Sequence, residues 1–336
     1  MTGVDPAPVD GALSFLGDRL ERNRPLGPET TYRVGGAAAW FVQVRDPDEL
    51  ASIAAAVAEL RRSGADVPVL VLGNGSNLLV ADRGFGGLAL RLGEEFATVE
   101  IPEVGPRASR VVVRAGGATK LPVLAERTVA AGLTGFEWGK GVPGTVGGAV
   151  RMNAGGHGSD TAATLLGVRL VDLATGEDVE VDAAALDLGY RTSGLRSEQV
   201  VVHADLQLEV APADDGVSTL RDIVTWRRAN QPGGRNAGSV FTNPPGASAG
   251  ALVDGAGCKG RRIGTAEISP KHANFIIAGE HGSADDVFAL MVDVAAEVHR
   301  TSGVRLHPET CLIGFGDFDE ALDRALEASG DPDGRS

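Results

Sequence analysis

Residues 141–149 read Gly141-Val142-Pro143-Gly144-Thr145-Val146-Gly147-Gly148-Ala149, and no other run constrains this chain as strongly. Glycine loses more backbone freedom on folding than any other residue. Four glycines around one proline and one threonine are therefore destabilising unless the backbone must come close to something. Met152-Asn153-Ala154-Gly155-Gly156 continues the run with more small residues. From Gly139 to Gly158 the chain is too glycine-rich for a regular helix or strand, and a long loop without a partner explains it poorly. A second segment, Gly73-Asn74-Gly75-Ser76-Asn77-Leu78, follows the short apolar strand Val67 to Leu72. Successive N–H groups there can form a nest for a pyrophosphate. Taken alone, a tight turn explains it equally well. It is not the dinucleotide fingerprint, because Leu78 stands where the third glycine would fall and no strand–helix–strand unit follows. The chain also has no G-x-x-x-x-G-K-[ST] loop.

At 336 residues the chain is long enough for two or three domains and a core without disulfide staples. Apolar residues make up 43%, which is ordinary for a globular protein. The net charge of −14 argues against general nucleic-acid binding, which demands a basic footprint. An anionic small molecule would instead need a local cluster of Arg, Lys and N–H groups inside an acidic shell. The first thirty residues lack the basic start and apolar block of a signal peptide. Val67 to Val80 is broken by Gly and Asn well short of a membrane span. Cys258 and Cys311 form at most one disulfide and no metal-ligand spacing. No metal and no membrane are expected, and the cytosol is the expected address.

Residues 1–30, rich in Pro and Gly, read as an N-terminal arm. Strands are expected at Thr31 to Val44, Val67 to Leu72, Leu88 to Leu92, Arg110 to Ala115, Gly167 to Asp172 and Val200 to Leu208. Asp46 caps a helix with Pro47 at its first position, and Leu50, Ile53, Ala54, Val57 and Leu60 form its apolar stripe. A second helix covers Lys120 to Ala131. Ala211 through Gly216 reads as a linker, after which Ser218 caps a helix ending near Asn230. Ser283-Ala284-Asp285-Asp286 resembles a capping box opening a helix to about Thr301. From Asp317 onward, one or two amphipathic turns and then disorder are expected. The domains are thus drawn at residues 31–210 and 217–316, followed by an acidic tail at 317–336.

Six strings occur in the order seen in UDP-N-acetylenolpyruvoylglucosamine reductases. They are TYRVGG (31–36), VLGNGSNLLV (71–80), GVPGTVGGAVRMNAGG (141–156), GYRTS (189–193), AGSVFTNP (237–244) and GVRLHPE (303–309). The chain resembles that family over roughly residues 25–315. The resemblance implies an α+β chain. A two-subdomain FAD-binding fold of the vanillyl-alcohol-oxidase (PCMH) type would precede a smaller C-terminal α+β substrate domain. It implies non-covalent FAD, NADPH as co-substrate, and the enolpyruvyl ether of UDP-N-acetylglucosamine as the substrate reduced to UDP-N-acetylmuramate for peptidoglycan synthesis. Gly73, Asn74, Gly75, Ser76, Asn77 and Leu78, with Val142, Pro143, Gly144, Thr145, Gly147 and Gly148, would hold the FAD pyrophosphate and neighbouring groups. Gly116 would be a weaker flavin contact. About 48 positions separate Arg191 from Ser239, too few for the tyrosine-bearing loop of one form of the family. This chain resembles the shorter form. A monomer or weak oligomer is expected.

The implied reaction adds hydride to a vinyl carbon and leaves carbanion character beside a carboxylate. The protein must then supply an acid and a way to spread charge. By the same likeness Ser239 is the proton donor, although its spacing alone favours a turn serine. Arg191 is matched to fork onto the substrate carboxylate, where an isolated arginine would read as a surface ion pair. Glu309 is given a role in stabilising or protonating the enolate-like intermediate. A carboxylate there helps only when protonated or paired with a cation, and without the likeness Glu309 reads as an exposed acid. Arg227 and Arg228 end the helix after Ser218, and Asn243 follows Ser239 closely, so these suit the diphosphate. The family usually places Lys directly before the Gln-Pro pair, where this chain has Asn230. Arg227, Arg228 or Arg235 is expected to replace it. Lys271-His272-Ala273-Asn274 resembles another substrate-lining stretch, in which His272 either touches ligand or packs as an ordinary histidine. His157 is open in the same way.

Two rivals stand beside this reading. A carbohydrate or lactone oxidase of the same fold would not be expected to carry AGSVFTNP followed by RLHPE. A flavin- or nucleotide-sugar-binding protein without turnover would have no need of Arg191, Ser239 and Glu309.

Overall fold

The computed structural model describes residues 5–330, in two compact units that interleave along the chain. The first comprises Met1–Arg24, Ala38–Asn74 and Gly86–Ala229; the second comprises Pro25–Ala37, Gly75–Phe85 and Asn230–Ser336. The sequence reading drew continuous segments instead, with TYRVGG and VLGNGSNLLV both inside 31–210. TYRVGG and the second half of VLGNGSNLLV lie in the second unit.

In the first unit a four-stranded sheet has the spatial order Glu21–Pro25, Ala37–Val44, Phe85–Leu92, Val69–Leu72. The last two strands are parallel, from Val69 opposite Leu88 to Leu72 opposite Arg91. Helix Pro47–Arg62 supplies this core with the expected stripe: Leu50, Ile53, Ala54, Val57 and Leu60 are buried with Trp40, Val42, Leu88 and Leu90. Asp46 caps it, accepting from the Glu49 N–H at 2.8 Å. The N-terminal residues are not a loose arm. Pro6–Ala12 is helical, Glu21–Pro25 is a sheet strand, and Val9, Leu13 and Leu16 are buried in the same core. Their three- and four-residue spacing is a helical signal that the Pro and Gly content masks.

The second sheet of this unit is antiparallel, in the order Asp178–Asp182, Leu165–Asp172, Gln199–Val210, Arg110–Gly116, Val99–Glu100, with Leu133–Thr134 also on Gln199–Val210. Val200 and Val202 join the first sheet's core, whereas Val201, Ala204, Leu206 and Leu208 join a second core. Strict alternation would put Val202 and Ala204 on one face. The register slips here: Arg169 faces His203 but Leu170 faces Val201, so Val202 is a bulge. That extra residue lets one strand serve two cores.

Helix Ala213–Asn230 begins at Ala213, inside the expected linker, and not at Ser218. Gly216 reads as a breaker but is buried, and a Cβ there would lie 2.8 Å from Val129 Cγ1. The glycine lets this helix press onto helix Leu121–Ala130, and Asp214 and Asp215 suit its first turn.

The second unit gathers Tyr32, Val34, Leu79, Val240 and Phe241 into one core with the apolar face of helix Ala284–Ser302. Ser283 caps that helix, its hydroxyl oxygen accepting from the Asp286 N–H at 3.1 Å. Asp82 adds a second cap, accepting from the Ala284 N–H at 3.0 Å, the Asp285 N–H at 3.2 Å and the Ser283 hydroxyl at 2.5 Å. Arg262–Ile263, Ala266–Ile268 and Ile276–Ala278 form an antiparallel sheet, and Leu78–Val80 pairs in parallel with Cys311–Ile313. The expected tail is a helix, Phe318–Gly330, with Phe318 and Leu322 buried and the Phe318 ring 6.3 Å from that of Phe241. Its acidic surface hides the helical spacing of Phe318, Leu322 and Leu326. The disorder expected at the far end, residues 331–336, lies outside the described residues.

Candidate functional site

The two glycine segments meet. The Asn74 side-chain amide donates to the Pro143 carbonyl at 2.5 Å, and a Cβ on Gly73 would sit 2.6 Å from Thr145 Oγ1. Among the described residues, none of the backbone N–H groups of Gly73 through Asn77 donates a hydrogen bond to protein. Gly75 is buried and the other four are half-buried. Their loop is nevertheless fixed through its carbonyls: Gly75 accepts from the Thr31 N–H at 3.1 Å, and Asn77 from the Cys311 N–H at 2.9 Å. A held loop with a run of uncommitted donors fits the pyrophosphate of a dinucleotide cofactor.

The longer segment departs from the expectation of an irregular loop. Val146–Met152 is helical, capped by Thr145, whose Oγ1 accepts from the Gly148 N–H at 3.4 Å. The Val146 N–H donates to Thr119 and the Gly147 N–H to Gly117, both at 2.9 Å. The N–H groups of Gly147 and Gly148 are thus already engaged by protein acceptors. Glycine density hid this helix because glycine is a poor helix former, and Thr145 was the signal for it. Val142 donates back to Gly139 at 3.2 Å, and Gly144 accepts from Leu121 at 3.1 Å. Gly116 has a reason of its own inside the protein: its N–H donates to Thr98 at 2.8 Å, and a Cβ would collide with the Phe96 carbonyl.

Arg191 lies in the first unit, with a left-handed φ of 58°. That conformation is uncommon for a residue with a side chain and marks a position held by its surroundings. Gly189 and Thr192 close the turn around it, each N–H donating to the other's carbonyl, at 3.0 and 3.3 Å. Asn153, 3% exposed, holds the turn: its Nδ2 donates to the Gly189 carbonyl at 2.8 Å while Oδ1 accepts from the Ala162 N–H at 2.9 Å. The Arg191 guanidinium donates to the Gly155 carbonyl at 2.8 Å. The long glycine motif therefore also orients the arginine. Sequence reasoning passed over Asn153, although a lone polar side chain among small residues was a usable signal.

Ser239 and Glu309 lie in the second unit, on two segments joined by an isolated β-bridge. The Glu309 N–H donates to the Val240 carbonyl at 2.8 Å, the Thr242 N–H donates to the His307 carbonyl at 3.0 Å, and Phe241 pairs with Pro308. Both side chains are half-buried. Asn77, expected at the flavin, donates through Nδ2 to the Glu309 carbonyl at 2.9 Å.

The other residues expected at the substrate have these surroundings. Arg227 is half-buried near the end of helix Ala213–Asn230, and burial lowers its pKa. His157 packs edge-on against Trp226 at 5.2 Å, and burial, then the charge of Arg227, depresses its pKa. Asn243 Oδ1 accepts from the Ala249 N–H at 2.9 Å, at the start of helix Ala249–Gly255. His272 accepts from the Asn274 N–H at 3.2 Å and packs edge-on against Phe275 at 4.8 Å; burial, then Lys259, depresses its pKa. Arg235 donates to the Gly279 carbonyl at 3.1 Å. Among the described residues no cluster of His, Cys, Asp or Glu could hold a metal ion, and no helix is long and apolar enough to cross a membrane.

A family profile described as the UDP-N-acetylenolpyruvoylglucosamine reductase C-terminal domain matches residues 230–313, and one described as an FAD binding domain matches residues 38–182. UDP-N-acetylenolpyruvoylglucosamine reductase 2 of Symbiobacterium thermophilum is 39% identical over 300 residues, covering 88% of this chain and 92% of that one. The chain belongs to the UDP-N-acetylenolpyruvoylglucosamine reductase family. The reductase of Gluconobacter oxydans is 40% identical over 316 residues, 94% of this chain and 97% of its own. The crystal structure of UDP-N-acetylenolpyruvylglucosamine reductase from Thermus caldophilus superposes with a TM-score of 0.73 at 34% identity, covering 88% of this chain and 99% of that one. In this reductase-family chain the FAD-binding match begins at 38, where the first unit resumes, and the C-terminal match at 230, where the second does. The α+β class, with an FAD-binding part before a smaller C-terminal part, is the one expected from the sequence.

Proposed function

We propose that this chain binds FAD non-covalently and uses NADPH to reduce UDP-N-acetyl-3-O-(1-carboxyvinyl)-glucosamine to UDP-N-acetylmuramate. It does so in the cytosol, as a monomer or weak oligomer. The observation that carries the reading is the backbone pairing of the AGSVFTNP and GVRLHPE segments, through Glu309 and Val240 and the Phe241–Pro308 bridge. The two residues matched to proton handling belong to these two bridged segments, which supports the reading. An oxidase or a passive binder has no use for that arrangement.

Bound FAD supplies hydride transfer from NADPH to the vinyl carbon. The chain's own residues do the rest. Arg191, preset by its turn and by Gly155, forks onto the substrate carboxylate and stabilises negative charge as the double bond is saturated. The Ser239 hydroxyl delivers its proton to the carbon bearing the ether and the carboxylate. Serine is a weak acid, so this transfer depends on charge stabilisation around it. Glu309, on the bridged segment, stabilises or protonates the enolate-like intermediate, a role that requires the carboxyl to be protonated or paired with a cation. Arg227 offers a half-buried cation for the diphosphate, in place of the lysine that Asn230 replaces. Asn243 and His272 are further candidates to line the substrate, beside the protein contacts described above.

NADPH oxidation followed with and without the enolpyruvyl sugar nucleotide tests the reading. Oxidation that depends on the sugar nucleotide is expected. Oxidation driven by oxygen alone, or none, contradicts it.

A further inference from the structure

We propose that Asn274 is a positioning residue for proton delivery by Ser239, acting through a two-handed hold on the Phe241 peptide groups; this rests on the reading of Ser239 as the acid. Asn274 is 4% exposed. Its Oδ1 accepts from the Phe241 N–H at 3.0 Å, and its Nδ2 donates to the Phe241 carbonyl at 2.8 Å. Its own carbonyl accepts from the Val240 N–H at 2.9 Å. With Glu309 on the Val240 carbonyl, all four peptide polar groups of Val240 and Phe241 are engaged, three of them by Asn274. One side-chain amide thus stands in for a missing strand neighbour.

The hold matters because of what precedes it. Ser239 follows Gly238, which sits at φ 80° in a turn braced by the Asn236 side chain at 3.1 Å. Glycine offers little resistance to rotation, so the position of the Ser239 hydroxyl is set mainly from its C-terminal side. That side is rigid. Asn274 ends a turn in which Ser269 Oγ accepts from the Lys271 and His272 N–H groups at 3.1 and 3.4 Å, and His272 Nδ1 accepts from Asn274 itself. The stretch that resembles a substrate-lining segment therefore works on the segment that carries the serine. Phe241 is 1% exposed, so loss of the amide leaves a buried N–H and carbonyl unpaired, and the segment must shift to satisfy them. Proton transfer from a weak acid tolerates such a shift poorly, whereas hydride uptake from NADPH does not use Ser239.

The test uses full-length holoenzyme carrying Asn274→Asp or Asn274→Ala. Asp keeps the acceptor for the Phe241 N–H and loses the donor to its carbonyl. In anaerobic stopped flow, bleaching of the flavin by NADPH stays within about twofold of wild type in both. Reoxidation by the enolpyruvyl sugar nucleotide slows about tenfold in Asp and further in Ala, less than the roughly 10²–10⁴-fold that loss of the acid itself costs. The solvent deuterium isotope effect on reoxidation rises, and substrate affinity for the oxidised enzyme is unchanged. Equal slowing of both halves with an unchanged isotope effect overturns the proposal, since Asn274 then only supports the fold. Wild-type rates in both halves overturn it too. If Asn274→Ala yields no holoenzyme, the isotope effect in Asn274→Asp decides alone. Unsubstituted enzyme that bleaches with NADPH yet is not reoxidised by the sugar nucleotide contradicts the proposed function instead, so the two failures are separable.

Discussion

The N–H of Glu309 donates to the carbonyl of Val240 at 2.8 Å, which seats the segment bearing the carboxylate beside the segment bearing Ser239. Asn77 donates to the carbonyl of the same Glu309 at 2.9 Å, so the end of the first glycine loop is tied to that segment as well. A backbone bond joins two of these motif segments, and the Asn77 side-chain amide joins the third. Such short direct bonds leave little room for drift, which suits chemistry that fails with an ångström of misplacement.

Arg191→Lys should lose far more activity than a swap of like charges suggests. A point charge cannot make the two parallel hydrogen bonds of a guanidinium to a carboxylate. The expected loss in kcat/KM corresponds to ~1.5–3 kcal/mol, the usual worth of hydrogen bonds to charged groups. Steady-state NADPH oxidation measures it, and near-native kcat/KM would move Arg191 out of the site.

The purified protein should be yellow, and denaturation should release its FAD into the supernatant. Gly73→Ala should come through purification with flavin below stoichiometry, because the new Cβ meets Thr145 Oγ1 at 2.6 Å. The ratio of flavin to protein absorbance reports both. Flavin that precipitates with the denatured chain would show covalent attachment, and full loading of the alanine variant would remove Gly73 from the cradle.

Much of this was legible in the residues, and the gaps have physical causes. The Asp46 cap with its apolar stripe, and the Ser283 box, are local signals, and both helices stand where expected. Interleaving of the two units is not local: Tyr32 and Val34 are buried among residues beyond 230, which no periodicity within TYRVGG can report. Gly216 and the glycines after Thr145 carry opposite meanings in sequence and structure, because a residue that weakens a helix also permits close packing. Asn153 and Asn274 are single amides whose partners lie far along the chain. Such bonds leave no spacing pattern, so the arginine and serine they hold were visible only by resemblance.

Acid should destabilise the fold through three histidines. His157, His203 and His272 are each held below the ordinary imidazole value, chiefly by burial, with the charges of Arg227, Arg114 and Lys259 as the respective next causes. A depressed folded value means that the unfolded chain binds the proton more readily. Their contribution is present above the unfolded value of about 6.5 and is lost as pH falls from there through the lower folded values. Tm should therefore drop from about pH 7.5 to 5.5, and His272→Gln should flatten part of the slope. A Tm that is level or rising on acidification across that window would contradict the assignment.

Asp82→Ala should lower stability by ~1–2 kcal/mol, the upper range for loss of a helix cap, because Asp82 accepts from two first-turn N–H groups and from the Ser283 hydroxyl. Urea unfolding measures it. Replacement by Asn should recover part of the loss, since the amide keeps one acceptor. An unchanged midpoint would mean that Ser283 caps the helix unaided.

Ser239→Ala gives the most direct test of the mechanism, read as two half-reactions in anaerobic stopped flow. The substitution removes the proposed acid and leaves both glycine segments untouched. NADPH should bleach the flavin at nearly the wild-type rate. Reoxidation by the enolpyruvyl sugar nucleotide should slow by roughly 10²–10⁴-fold, the usual contribution of a positioned general acid. Ser239→Cys should regain part of that rate, because a thiol also donates a proton. Slow bleaching followed by normal reoxidation would contradict the account and assign Ser239 to the flavin or NADPH; two unaffected half-reactions would pass the proton to Glu309.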